Sequence, residues 1–159
     1  GAILVYLAEK TGRLLPKNPG TRYEALAWLF FQVGSIGPML GQAHHFRVYA
    51  DEKIPYAIDR YTREANRLYG VMDTRLSRAP YFAGEEYSVA DIAMFAWTLH
   101  HERQGVNIKD YPKVHEWHQR VGERDGVKRG MAVLAYRQQE KSAEAKKILF
   151  GQPSRPFIH

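Results

Sequence analysis

Between Ile54 and Leu76 the apolar residues Ile54, Ile58, Tyr61, Ala65, Leu68, Met72 and Leu76 recur in steps of four and three. A half-buried strand repeats every two residues, so this spacing predicts an amphipathic helix over 54–77. Such a stripe has to be buried against other elements, and the rest of the chain offers helices. Over 1–10, Ile3, Leu4, Leu7 and Ala8 are helically spaced and Gly12 supplies a stop. A second helix is expected from Thr21, with Glu24 three residues on, burying Tyr23, Leu26, Ala27, Phe30 and Val33. Gly34, Gly37, Pro38 and Gly41 then predict a kink or a broken end, and 45–53 reads as a loop.

Ser88 and Asp91 form a capping-box pattern, with Tyr87 placed to pack on Ile92 as a hydrophobic staple, and open a helix expected to reach His101. Pro112 opens another, carrying Val114, Trp117 and Val121, and Val127, Met131 and Leu134 suggest a last one. No strand pattern and no repeat is evident. The fold class is therefore all-α, a helical bundle. Residues 138–159 read as a tail in which Ile148, Leu149 and Phe150 are the apolar positions able to dock.

Composition narrows the chemistry. With no cysteine there is no thiolate nucleophile, no thiolate metal site and no disulfide within the chain. No uniformly apolar run is long enough for a membrane helix. The net charge of +6 comes from acids and bases interleaved along the helices, and no nucleic-acid recognition motif accompanies it. Of seven histidines only His115 and His118 share a helical spacing, so no metal site is expected. The absence of a capping residue before the first helix suggests a chain cut from a longer protein.

Four stretches carry a family resemblance: GAILVYLAEKTGRLLP at the start, the turn YFAGEEYS, SVADIAMF after it, and KVHEWHQRVGERDGVKRG late in the chain. Together they resemble the glutathione transferase superfamily. EALAWLFFQVGSIGPMLGQAHHF followed by KIPYAIDRYTREANRLYGVMD is most similar to the bacterial Nu class, which includes glutathione-dependent disulfide-bond oxidoreductases. The resemblance implies a division of the chain. Residues 1–12 would be the last helix of a truncated thioredoxin-like domain and 13–20 an interdomain linker. Residues 21–137 would be the C-terminal helical domain. The family pattern has Pro-Ala where this chain has Asp125-Gly126, a weaker helix start.

The resemblance implies glutathione as co-substrate, no metal, and a small electrophile or a disulfide as acceptor. It also implies a homodimer when full length and a cytoplasmic setting, with no nucleic-acid or membrane partner. It places no catalytic residue in this half. Gln32, whose amide both donates and accepts, and Arg67, able to grip a carboxylate from the edge of the buried stripe, become the glutathione-contact candidates. Gly34, Gly37, Pro38, Met39, Leu40, Gln42 and His45 would line the acceptor side, with Ser88 and Asp91 as structural caps. Arg60 and Arg63 read as surface residues in local ion pairs, and Tyr23, Tyr56, Tyr61 and Trp97 as core aromatics. The alternative is a non-enzymatic binding or assembly module derived from this family.

Overall fold

The computed structural model describes residues 1–135 together with 145, 148 and 149. It divides into two compact units, Gly1–Arg124 and Asp125–His159. Helices dominate, and among the described residues the only β feature is an isolated bridge between Tyr81 and Gly84.

Helix α1, Ala2–Thr11, ends as expected at Gly12, whose φ of 65° is left-handed. Leu14 also has a positive φ, 66°, and its carbonyl accepts from Val89 N at 2.8 Å. Beside it Leu15 is buried in a cluster with Ala8, Ala25, Leu29, Ala83 and Val89. Leu14 and Leu15 are thus stitched into the bundle.

Helix α2 spans Pro19–Phe31, two residues earlier than expected. Its cap is Asn18, whose side chain accepts from the amides of Gly20 and Thr21, and Pro19 takes the first helical position. The expected buried face is corrected as well. Tyr23 and Phe30 are each 69% exposed and Val33 is 47% exposed, whereas Ala25 and Leu29 are buried. The inward stripe is Ala25, Leu29, Gln32, Ile36, Leu40 and Ala43, which runs on through the glycines. Small and medium side chains there let α2 pack on α5, Val89–Thr98.

No break occurs at Gly34–Gly41. The chain passes through a π-helical turn, Gln32–Ile36, in which Gly37 N donates to Gln32 O, and continues as α3, Gly37–His44. A second π-helical turn, His45–Tyr49, follows, closed by Ala50 N donating to His45 O at 2.9 Å. The loop expected over 45–53 is therefore helical in its first half. Such widened turns absorb an extra residue without ending a helix.

Helix α4, Pro55–Leu76, matches the periodicity to within one residue and buries Ala65, Leu68, Tyr69, Met72 and Leu76. It packs between α3 and α6, Pro112–Gly122. Tyr56, expected in the core, is 71% exposed at the first turn of α4. Helix α5 has the predicted capping box but stops at Thr98, short of His101, and a 3₁₀ turn covers His101–Gln104. Helix α6 buries Val114, Trp117 and Val121, as its spacing predicts.

The start of α6 has an unexpected donor-acceptor arrangement. Tyr111 precedes it and supplies no side-chain cap. Instead Asp73, one helix away on α4, accepts from Lys113 N at 2.7 Å and Val114 N at 3.1 Å. One carboxylate thus satisfies two amides at the positive end of α6 and ties two helices together. Asp73→Ala is expected to lower unfolding stability by about 1–2 kcal/mol, and Asp73→Asn by less because its carbonyl still accepts. Urea midpoints decide it, and an unshifted midpoint for the alanine variant would show that the cap contributes nothing.

On the same helix His118 stacks on Phe95, with centroids 4.8 Å apart, and its Nε2 is buried without a hydrogen-bond partner among the described residues. Burial, with His101 and His115 nearby, pulls its pKa down to about 4. The folded chain therefore resists a proton that the unfolded chain accepts near pH 6.5. Stability from this group is complete above about pH 6.5 and is lost as pH falls toward 4. Discounted for partial solvent access, the loss should be about 1–2 kcal/mol. His118→Gln should flatten that limb of the pH–stability curve, and an equally steep limb in the variant would assign it to other groups.

The second unit contains helix α7, Asp125–Ala135, which forms despite the Asp-Gly start. Asp125 in its first turn is favourable to the helix dipole. Ile148 and Leu149 are exposed, and apart from Ala145 the rest of the 138–159 segment, including Phe150, lies outside the described residues.

Candidate functional site

Two open hollows flank α4. One, of about 520 Å³, lies against α3 and is lined by Met39, Arg60, Tyr61, Arg63, Glu64 and Arg67. The other, of about 600 Å³, lies against α2, where Trp28, Val71, Arg75 and Arg78 are among its walls. Arg67 lines both and forms the ridge between them.

The hollow beside α3 is rich in guanidinium groups because α4 places Arg60, Arg63 and Arg67 at steps of three and four. Their partners differ. Arg63 pairs with Asp59. Arg67 is held by both oxygens of Glu64, Nε and Nη2 each at 2.8 Å. That hydrogen bonding, ahead of the opposing effect of burial, keeps the Glu64 carboxyl below the ordinary glutamate value. Arg60 makes no hydrogen bond and no ion pair with a described residue. Its charge acts on the Glu64 carboxyl only through space, without a direct contact, and it stands on the wall of the hollow, whereas sequence reading had set Arg60 aside as a surface residue. Only its place on the hollow's wall distinguishes it. Tyr61 stacks on Phe46 with centroids 5.4 Å apart and planes 6° apart, which fixes one flat wall.

Of the candidates read from sequence, Met39 and Arg67 come together in this hollow. Arg67, expected half-buried, is exposed instead, with its side chain 58% accessible. Gln32 does not line the hollow. It is 8% exposed and turns inward at the head of the first π-helical turn. Leu40 and Gly37 are corrected from wall to interior, since both are buried. Gly34, Pro38 and Gln42 are exposed, and a Cβ added at Gly34 would meet nothing within 4 Å. His45 packs edge-on against Phe46 at 5.2 Å, at the head of the second π-helical turn.

Ser88 and Asp91 are structural, as read. Asp91 is fully buried and accepts from Phe82 N, Ser88 N, Ser88 Oγ and Trp117 Nε1. Burial pushes its carboxyl above the ordinary aspartate value, while the four donors act in the opposite direction. Among the described residues no three His, Asp or Glu side chains converge as a metal site would need. No helix among them is long and apolar enough to cross a membrane.

The family model of the glutathione S-transferase C-terminal domain matches residues 36–125. The chain is 49% identical over 134 residues to the disulfide-bond oxidoreductase YfcG of Escherichia coli strain K12, covering 84% of this chain and 61% of that protein. A glutathione transferase from Burkholderia graminis, solved with two glutathione molecules bound per subunit, superposes with a TM-score of 0.77 at 37% identity, covering 87% of this chain and 60% of that one. One from Pseudomonas putida, solved with a glutathione disulfide bound per subunit, gives a TM-score of 0.76 at 41% identity, covering 82% and 59%. The chain thus spans about three fifths of the length of these relatives.

Proposed function

Since the chain belongs to the glutathione S-transferase family through its C-terminal helical domain, we propose that it forms the helical wall of a glutathione-dependent disulfide-bond reductase or transferase. The observation that carries this reading is the hollow between α3 and α4, where Arg60, in no hydrogen bond or ion pair with a described residue, stands beside Met39 and Arg67. Glutathione carries two carboxylates, and an unpaired guanidinium is the side chain best matched to one of them. Met39 offers a soft apolar surface to the acceptor, and Gln32 is retained as a contact for the peptide part, reached by a turn of its side chain.

In this reading the thiol comes from glutathione, and this chain, which has no cysteine, supplies none. A glutathione thiolate attacks one sulfur of the acceptor disulfide, forming a mixed disulfide and releasing one thiol. A second glutathione then attacks that mixed disulfide, yielding glutathione disulfide and the second thiol. Two glutathiones are oxidised and one acceptor disulfide is reduced. The helical wall binds and orients, and no residue of this chain enters the bond-making step.

The division of labour read from the sequence belongs to the same proposal: residues 1–12 close a thioredoxin-like domain, 13–20 link it, and the preceding domain holds the sulfur. Its support is α1, where Ile3, Tyr6 and Leu7 are 75%, 59% and 48% exposed, an apolar face suited to a further domain. The test compares this chain with one extended upstream to the length of its relatives. Only the longer protein should reduce a small model disulfide with glutathione. The chain alone should bind glutathione more weakly than roughly 10 μM, about −7 kcal/mol. Tight binding by the chain alone would overturn the division, and a longer protein that neither binds nor turns over would overturn the activity.

A further inference from the structure

Two glycines of α3 lie against an indole. A Cβ on Gly41 would lie 3.3 Å from Cη2 of Trp97 and 3.6 Å from Cζ3. A Cβ on Gly37 would lie 3.3 Å from Trp97 Nε1, 3.0 Å from Gln32 Nε2 and 3.3 Å from Gln32 O. These positions are one helical turn apart, so α3 lies with a bare backbone strip along the ring. Contacts at 3.3 Å or less are tighter than side chains ordinarily tolerate. Gly37 is the junction: its amide closes the first π-helical turn onto Gln32 O, while its missing side chain makes room for both the Gln32 amide and the indole.

The backbone that carries the ring is itself anchored. Gln104, 1% exposed, donates from Nε2 to Trp97 O at 2.8 Å, and its Oε1 accepts from Tyr69 OH at 3.2 Å. Burial pushes the Tyr69 hydroxyl above the ordinary phenol value, so it remains a donor. The end of α5 is thereby tied to the buried face of α4. In contrast, α3 is joined to its neighbours through a π-helical turn at each end.

We propose that Trp97 is a positioning residue, a wedge under Gly37 and Gly41 that sets how far α3 stands off the core and so where Gln32 and Met39 are presented. It touches no ligand in this proposal and acts through α3. The part that concerns ligand binding rests on the glutathione reading above.

The test uses the full chain with ¹³C-labelled methionine methyl groups, followed by NMR. Met39 on α3 is the reporter and Met72, buried on α4, the reference. Gly41→Ala leaves every ring in place, so a move of the Met39 signal with Met72 still reports displacement of α3. Trp97→Phe on its own is the milder ring variant, and Gly41→Ala with Trp97→Phe should bring Met39 back toward its original position. Glutathione titrated at the Met39 signal of the protein extended to the length of its relatives should bind about tenfold more weakly to Gly41→Ala, with most of that regained in the double variant. A Met39 signal unmoved by Gly41→Ala, or a double variant that regains nothing, overturns the wedge. If glutathione leaves Met39 unmoved in the unaltered protein extended to the length of its relatives, the ligand part falls with the glutathione reading, while the shifts of the variants still decide the wedge.

Discussion

Asp91→Ala is expected to lower the unfolding free energy by about 3–5 kcal/mol, a large share of the 5–15 kcal/mol typical of a domain. The carboxylate is fully buried and collects donors from three parts of the chain: Phe82 N at 3.1 Å, Ser88 N at 2.9 Å with Ser88 Oγ at 3.0 Å, and Trp117 Nε1 at 2.9 Å. Removing it leaves two buried amides and an indole N–H without an acceptor, each at a cost of about 1–3 kcal/mol. The loss spreads, because the same oxygens hold the 80–88 turn, the start of α5 and the Trp117 ring together. Asp91→Asn keeps the volume but aims an NH₂ group at donors, so a loss of about 2 kcal/mol or more is expected. Ser88→Ala removes one capping oxygen and should cost about 1 kcal/mol. Urea midpoints of the three variants give the ranking. A loss below about 1 kcal/mol for Asp91→Ala would mean that water takes over the site.

The cap at Ser88 was legible because its signal is local: an oxygen, a carboxylate three residues on, and an apolar run. That Asp91 also reaches Phe82 N and Trp117 Nε1 was not, since sequence spacing says nothing about which distant donors converge on one oxygen. The same limit hid Asp73, which caps a helix 40 residues away. The long stripe of α4 was legible because its apolar positions are unbroken. In α2 large apolar residues occupy two faces, and the reading chose the bulkier one. The bundle instead closes over Ala25 and Leu29, leaving Tyr23, Phe30 and Val33 outside. Glycine and proline at 34–41 suggested an ending, yet a π-helical turn accommodates them, and two of those glycines lie against the Trp97 ring. For the site, the periodicity put three arginines on one face but could not say which of them lacks a direct ion pair among the described residues. That depends on Asp59 and Glu64 choosing Arg63 and Arg67, a competition settled only in the folded helix.

In the protein extended to the length of its relatives, Arg60→Gln is expected to weaken glutathione binding by about 10- to 30-fold, and Arg60→Gln with Arg67→Gln by about 100-fold. A charge-assisted hydrogen bond contributes about 1.5–3 kcal/mol, and the lower part of that range, fitting an exposed group, sets the first figure. Arg67 should contribute less on its own, because it first has to leave Glu64; that exposed pair is worth a few tenths of a kcal/mol, a small but opposing amount. Glu64→Gln should therefore strengthen binding slightly by freeing Arg67. Since Arg60 and Arg67 are exposed, none of these variants should shift the melting temperature appreciably. Calorimetry at two salt concentrations separates a contact from a general field: a direct pairing at Arg60 should survive most of the screening that salt imposes beyond about 8 Å. Binding by Arg60→Gln as tight as the unaltered protein would remove the hollow between α3 and α4 from the glutathione site, and with it the observation on which the proposed function stands.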